Sequence, residues 1–219
     1  MKARQFRSEV TRRKIIDAAV ELFNDVGYAN TGLGDVVERA GLTKGALYHH
    51  FSSKEALAVA IIEEGSAILI KTFEGICRSS APAVECMIHG VLVCVNMADS
   101  DKLVRMGAVL LRTFAKFSEA STLNYRAWVV EMAKQARRAQ AEGDMRDDID
   151  AEQAGEFIVG AMLGTELLAN AVHGGQDVLS RVTATWQLLL PAIASEQSLA
   201  YLQEFVARES LRFGRESRA

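Results

Sequence analysis

The side chains best suited to chemistry lie in one short segment, Thr31 to Lys54, TGLGDVVERAGLTKGALYHHFSSK. Lys44, Tyr48 and His49 supply a cation, a phenol and an imidazole, while Leu47 and Phe51, four residues apart, form an apolar back. A charged and aromatic face on an apolar anchor suits reversible hydrogen bonding to a polyanionic groove. The spacing predicts the elements that would position it. Thr31 is placed to cap a helix over Leu33 to Ala40 and is expected among the DNA-contacting residues. Gly41 gives the backbone freedom for a sharp turn. Thr43 caps a second helix, Lys44 to His50, and Ser52 or Ser53 caps a third. A helix–turn–helix of this kind lays its second helix in the DNA major groove.

Each residue of that second helix has an expected role. Lys44, at the positive end of the helix dipole, can meet a phosphate or a guanine edge. Thr43 can donate to a phosphate as well as cap. Gly45 and Ala46 have no reach but let the backbone come close, and Ala46 can touch a thymine methyl. Tyr48 and His49 can bond to phosphates or bases, whereas His50 is expected to pack or bond locally. Lys54 and the arm residues Arg4, Arg7, Arg12 and Arg13 are expected phosphate clamps, which position a protein without reading sequence.

Charge follows the same division. Residues 1–54 carry nine Lys/Arg and six Asp/Glu, and the remainder 16 and 22, so a net of +3 stands against −6 within the overall −3. A basic end on an acidic chain fits a polyanionic partner touching only that end. The longest uncharged run, Val182 to Ser195, contains Pro191 and falls short of the roughly 20 apolar residues of a membrane span. The N-terminus has basic residues but no apolar stretch after them, so no signal peptide is expected, and a cytoplasmic location follows. Cys77, Cys86 and Cys94 form no CxxC and read as buried thiols. No metal-ligand spacing is completed around His89 or His173, and GxSxG, HExxH, Walker and GxGxxG motifs are missing. Neither an enzyme nor a cofactor is expected.

Helical periodicity runs through the rest of the chain. After a fourth helix from Ser53 to about Ile76, helices are predicted over Pro82–Ala98, Lys102–Lys116, Leu123–Glu142, Ala151–His173, Val178–Ala194 and Ser198–Arg212. The chain therefore reads as all-α, with nine or ten helices. It divides into a helix–turn–helix domain, 1–54, and a larger domain, 55–219, linked by the long fourth helix.

The stretch TRRKIIDAAVELFNDVGYANTGLGDVVERAGLTKGALYHHFSSKEAL, residues 11–57, resembles the tetracycline-repressor (TetR) family of bacterial transcriptional regulators. I-x-x-A-A-x-x-L-F, G-Y, A-G-L-T-K-G-x-L-Y-H-H-F and S-K-E-x-L match in order and spacing. The resemblance implies a homodimer with a C-terminal ligand and dimer domain, bound to double-stranded operator DNA. A second similarity, to the γ-butyrolactone receptors of filamentous soil bacteria, is carried by ARQFRSEVTR, Trp128 at 20 residues before Asp148, Leu163-Gly164-Thr165 and Trp186. It implies a small lipophilic ligand with Trp128 as a pocket wall. Around it would stand Val91, Val95, Phe114, Met132 and Met162, with Thr165 as a polar contact. Without the resemblance Trp128 is most simply a core residue, and Thr165 can bond its own helix. The helices over 151–173 and 178–194 resemble the family's dimer interface, where Gly155, Gly160, Ala161, Gly164 and Ala169 would allow close approach. The chain departs from the pattern at Gly32 and Gly34, where hydroxyl side chains are usual, and at Gly65, where a ligand-facing glutamine is common. An enzyme carrying an appended helix–turn–helix, a regulator answering to another hydrophobic compound such as an antibiotic, and a DNA-binding protein with a solid core and no ligand remain open alternatives.

Overall fold

The computed structural model describes residues 2–114 and 119–216, with the side chains of residues 5–114 and 119–214. Ten helices account for nearly all of it: α1 (Lys2–Val26), α2 (Leu33–Ala40), α3 (Lys44–His50), α4 (Lys54–Cys77), α5 (Ala83–Ser100), α6 (Lys102–Thr113), α7 (Glu119–Glu142), α8 (Ala151–His173), α9 (Val178–Ile193) and α10 (Glu196–Glu216). Among the described residues there is no strand, only an isolated bridge between Met145 and Ala194. The expected bounds of α2, α3 and α8 match, and the others shift by a few residues. The last two residues expected in α6, 115 and 116, lie outside the described residues.

The compact units do not divide at residue 54. One contains residues 1–68 and 98–124, the other 69–97 and 125–219. In the first, α1 buries Ile15, Ile16, Ala19 and Phe23, α2 buries Val36, α3 buries Leu47, and α4 buries Leu57, Ile61 and Ile62. A glycine pair explains why α6 joins this unit. A Cβ on Gly65 would lie 3.1 Å from the Leu103 carbonyl oxygen and 3.3 Å from Gly107 Cα. The backbones of α4 and α6 cross where neither has a side chain, so Gly65 is a packing residue with no room for a glutamine.

In the second unit Phe73, Met87, Ile88, Leu92, Met132, Ile158, Trp186, Leu190, Leu202 and Val206 form one buried cluster. Two polar pairs tie α10 to α5: His89 Nδ1 to Glu209 Oε2 at 2.5 Å, and the Tyr201 hydroxyl donating to Glu85 Oε1 at 2.5 Å. His89 and Glu85 therefore face α10 separately. Burial pushes the thiols of Cys77 and Cys94 up to about 12, and they stay protonated at neutral pH. By length and composition alone α5 and α8 could cross a bilayer, contrary to the expectation from uncharged runs. Half of α5 is buried as a core helix, whereas most of α8 is not buried.

Close packing gives a test. A Cβ on Gly155 would lie 2.6 Å from the backbone nitrogen of Ala133 and 2.9 Å from its Cα. Alanine's helix propensity favours Gly155→Ala by about 1 kcal/mol, but overlap with backbone atoms forces α7 and α8 apart, typically at about 1–3 kcal/mol. A lowered melting temperature is expected for Gly155→Ala and a raised one for Gly34→Ala, where nothing lies within 4 Å of the added methyl. Equal melting temperatures would refute the α7–α8 contact.

Candidate nucleic-acid interface and ligand region

The turn between α2 and α3 forms as its residue types dictate. Gly41 adopts φ 63° and donates its N–H to the Glu38 carbonyl at 3.1 Å, and Leu42 donates to Val37 at 3.1 Å. That left-handed turn closes α2 with its last carbonyls satisfied. Thr43 then caps α3, its hydroxyl oxygen accepting the Ala46 N–H at 3.2 Å. Ser53, of the two expected candidates, caps α4 through the Ala56 N–H at 3.1 Å. The cap of α2 differs. Thr31 is 2% exposed, and its hydroxyl donates backwards to the Gly27 carbonyl at 2.9 Å. Gly32 is the N-cap instead, its N–H held by Asp35 Oδ2 at 2.7 Å. Thr31 is thus withdrawn from any DNA-facing role.

On α3 the expected two faces are present. Leu47 is fully buried and Phe51 nearly so, while Thr43, Lys44, Gly45, Tyr48 and His49 are exposed and Ala46 partly so. Tyr48 is 56% exposed, which rules it out as a core residue. His49 and His50 stand edge to face with centroids 5.2 Å apart. Burial, then His49, then Arg12 push the His50 imidazole below its ordinary value, so it is neutral near pH 7. Arg7, Ser8 and Thr11 of α1 line an open hollow of about 270 Å³ with Ala46, His49 and His50 of α3.

The clamp residues divide. Lys54 is consumed inside the fold: its ammonium donates to the carbonyls of Tyr28 at 2.8 Å, Thr31 at 2.9 Å and Ala29 at 3.4 Å, and lies 4.2 Å from the Tyr28 ring centroid. Three donors meeting three carbonyls leave none for a phosphate, so Lys54 staples the loop after α1. Arg12 and Arg13 are held by Glu64 of α4. Arg7 is exposed, and the side chain of Arg4 lies outside the described residues. From the sequence, neither Glu64 nor Tyr28 signalled these pairings.

The expected ligand residues fall in two places. Val91 and Met132 belong to the apolar cluster of the second unit, and Val95, Trp128 and Met162 pack against it. Trp128 is half-buried and stands edge to face on Phe73, with centroids 5.4 Å apart at 72°. Phe73 owes its place to Gly90, where a Cβ would lie 2.6 Å from the ring. Phe114 is grouped with the first unit, edge to face with Tyr28 at 5.4 Å, and it borders an open hollow of about 540 Å³ with Glu55, Val59, Glu63 and Leu123. Thr165 is also spent elsewhere, its Oγ1 2.8 Å from the Ala161 carbonyl and 2.7 Å from Thr185 Oγ1 on α9. It pins α8 to α9. Among the described residues four buried side-chain polar atoms have no hydrogen-bond partner: Asn124 Oδ1, Gln135 Oε1, Arg181 Nε and Trp186 Nε1.

Of the large apolar side chains exposed in the second unit, Phe157, Leu167, Leu168 and Val172 lie on α8 and Leu188 on α9, with Val130 on α7 and Tyr201 and Leu211 on α10. Phe157, Gly160, Gly164, Leu167, Leu168 and Ala171 follow three- and four-residue spacing along one side of α8. Phe157 and Leu168 are more than half exposed, and Leu188 on α9 is 81% exposed. A Cβ on Gly160 or Gly164 would meet nothing within 4 Å.

Comparison with known proteins follows the same outline. Residues 15–61, which contain α2 and α3, match the model for bacterial regulatory proteins of the tetR family. The chain is similar to the A-factor receptor protein of Streptomyces griseus, 28% identical over 201 residues, 92% of this chain and 70% of that one. Among solved structures it is similar to a gamma-butyrolactone receptor (ArpA-like protein), with a TM-score of 0.73 and 25% identity over 94% of this chain and 99% of that one. CprB of S. coelicolor A3(2), a TetR family protein, gives a TM-score of 0.74 and 26% identity over 94% and 98%.

Proposed function

We propose, for a chain that belongs to the tetR family of bacterial regulatory proteins, a homodimer that holds a two-fold operator and leaves it when a lipophilic γ-butyrolactone binds. The protein is a ligand-responsive DNA-binding repressor. The observation that carries the DNA side is α3, with Lys44, Gly45, Tyr48 and His49 exposed over a buried Leu47. One such helix per chain reads a half-site, so two-fold symmetry of the protein calls for a pseudo-palindromic site. The exposed stripes on α8 and α9 are suited to pair with their own copies and bury the apolar surface the monomer leaves in water.

The ligand belongs to the second unit on this reading, beside Trp128 and the buried cluster. A lactone offers acceptors as well as an apolar body, and an unpaired buried donor such as Trp186 Nε1 is stabilised by an acceptor. The A-factor and gamma-butyrolactone receptors point to the same ligand class. Helix α4 is continuous, with residues 54–68 in the first unit and 69–77 in the second, and would carry the response. Coupling of this kind is reciprocal, so operator DNA is expected to weaken ligand binding by the factor by which ligand weakens DNA binding.

The test is a gel shift of purified protein on DNA from its own upstream region, with and without added γ-butyrolactone. A retained complex at saturating lactone would sink the ligand class and leave the DNA reading intact. Within the same assay Lys44→Ala and Tyr48→Ala are each expected to lose about 1–3 kcal/mol of DNA affinity with an unchanged melting temperature. Full binding by both variants would mean that α3 is not the reading helix.

A further inference from the structure

Two arginines expected to grip DNA are already occupied. Arg12 Nη1 donates to Glu64 Oε1 at 2.5 Å, and Arg13 Nη1 donates to Glu64 Oε2 at 2.9 Å. Arg13 also lies 2.9 Å from Asp17 through its Nε. One carboxylate thus holds two guanidiniums, one on each oxygen, as two oxygens of a phosphate would. The two positive and two negative charges cancel, so the formal charge of this end overstates what it shows to a polyanion. The Arg12 guanidinium is also laid over the Phe51 ring at 5.5 Å, and Phe51 is the residue that closes α3.

The clasp sits beside the DNA-facing surface. Arg7, Ser8 and Thr11, one to six residues earlier on α1, line the hollow shared with Ala46, His49 and His50 of α3. A guanidinium released from Glu64 at Arg12 or Arg13 would stand one to six residues along α1 from that hollow. Exposed ion pairs are weak one at a time. Here the Glu64 side chain is only 26% exposed and both its oxygens are engaged, so a passing phosphate must displace a two-armed contact.

We propose that Glu64 is a positioning residue that sets how many cations the helix–turn–helix offers to DNA, by holding Arg12 and Arg13 off the phosphate backbone. The inference rests on the DNA-binding reading. Its consequence is a protein whose affinity for arbitrary duplex is held down by its own carboxylate, leaving the exposed face of α3 to select the site.

The salt dependence of binding counts phosphate contacts directly. Full-length wild type, Glu64→Gln, the Arg12→Ala/Arg13→Ala double variant and the triple variant would be titrated by fluorescence anisotropy against a random-sequence duplex over a range of salt. Each phosphate newly neutralised steepens the log–log slope by about 0.9, so Glu64→Gln is expected to steepen it by up to about 1.8 and to bind more tightly at low salt. The triple variant is expected to return to the wild-type slope, and the double variant to keep it. Equal slopes for Glu64→Gln and wild type would overturn the proposal. So would a shallower slope for the double variant, an arm that does not depend on how Glu64→Gln folds. Wild type that binds no duplex at any salt would overturn the DNA-binding reading itself, a result distinct from equal slopes.

Discussion

Leu188→Arg is expected to leave each chain folded, to turn dimers into monomers and to lower operator affinity by about 10²–10⁴-fold, the gain that joining two half-site readers brings. Leu188 is 81% exposed on α9, so a charge there disturbs no contact within the chain. In a helical interface the same arginine would lie buried without a partner, and such a charge is strongly unfavourable. Neighbouring exposed groups on α9, Ala184, Pro191 and Ala192, offer nothing to pair with it. Light scattering would give the mass, and anisotropy on a two-fold operator the affinity. A dimeric Leu188→Arg with wild-type affinity would place the pairing surface elsewhere. Gln187→Arg, also exposed but polar to begin with, is the control for charge on α9.

Trp128→Ala is expected to require about 10–100-fold more lactone for release from DNA while operator affinity in its absence is retained. Burying an aromatic side chain of this kind contributes about 1.5–3 kcal/mol, which is the loss if the indole forms a wall of the ligand site. The edge-to-face pair with Phe73 adds about 0.5–1.5 kcal/mol to stability, so some lowering of the melting temperature accompanies it. Trp128→Phe keeps an aromatic ring against Phe73 and separates the two effects: it is expected to restore the melting temperature more fully than the ligand response. Lactone binding to wild type should also change tryptophan emission, which comes from Trp128 and Trp186 only. An unaltered lactone dose for Trp128→Ala would remove Trp128 from the ligand site and leave it a core residue.

Much of this protein was legible before any coordinates, for a local reason. Gly41, Thr43 and Ser53 act through hydrogen bonds to residues within five positions, so α2, α3 and the start of α4 are fixed by their own sequence. The two faces of α3 follow from the four-residue spacing of Leu47 and Phe51 and need no other element to predict. Exposure of Tyr48, Lys44 and His49 follows from the same geometry.

What only the tertiary structure decided is where the long charged and polar side chains end. Lys54 and Arg12 look alike in sequence as cations near a DNA-reading element, yet one meets three carbonyls after α1 and the other meets Glu64, 52 residues away. Thr31 and Thr165 both turn back onto backbone carbonyls, because the carbonyl four residues earlier lies within hydrogen-bond reach of each hydroxyl. Phe114 is grouped with the first unit, where α6 is held to α4 by facing glycines, a contact between backbones that hydrophobic periodicity does not encode. Helices and their faces are set by neighbours three or four residues away, whereas the partner of a cation or an aromatic ring depends on which distant helix the packing brings within reach.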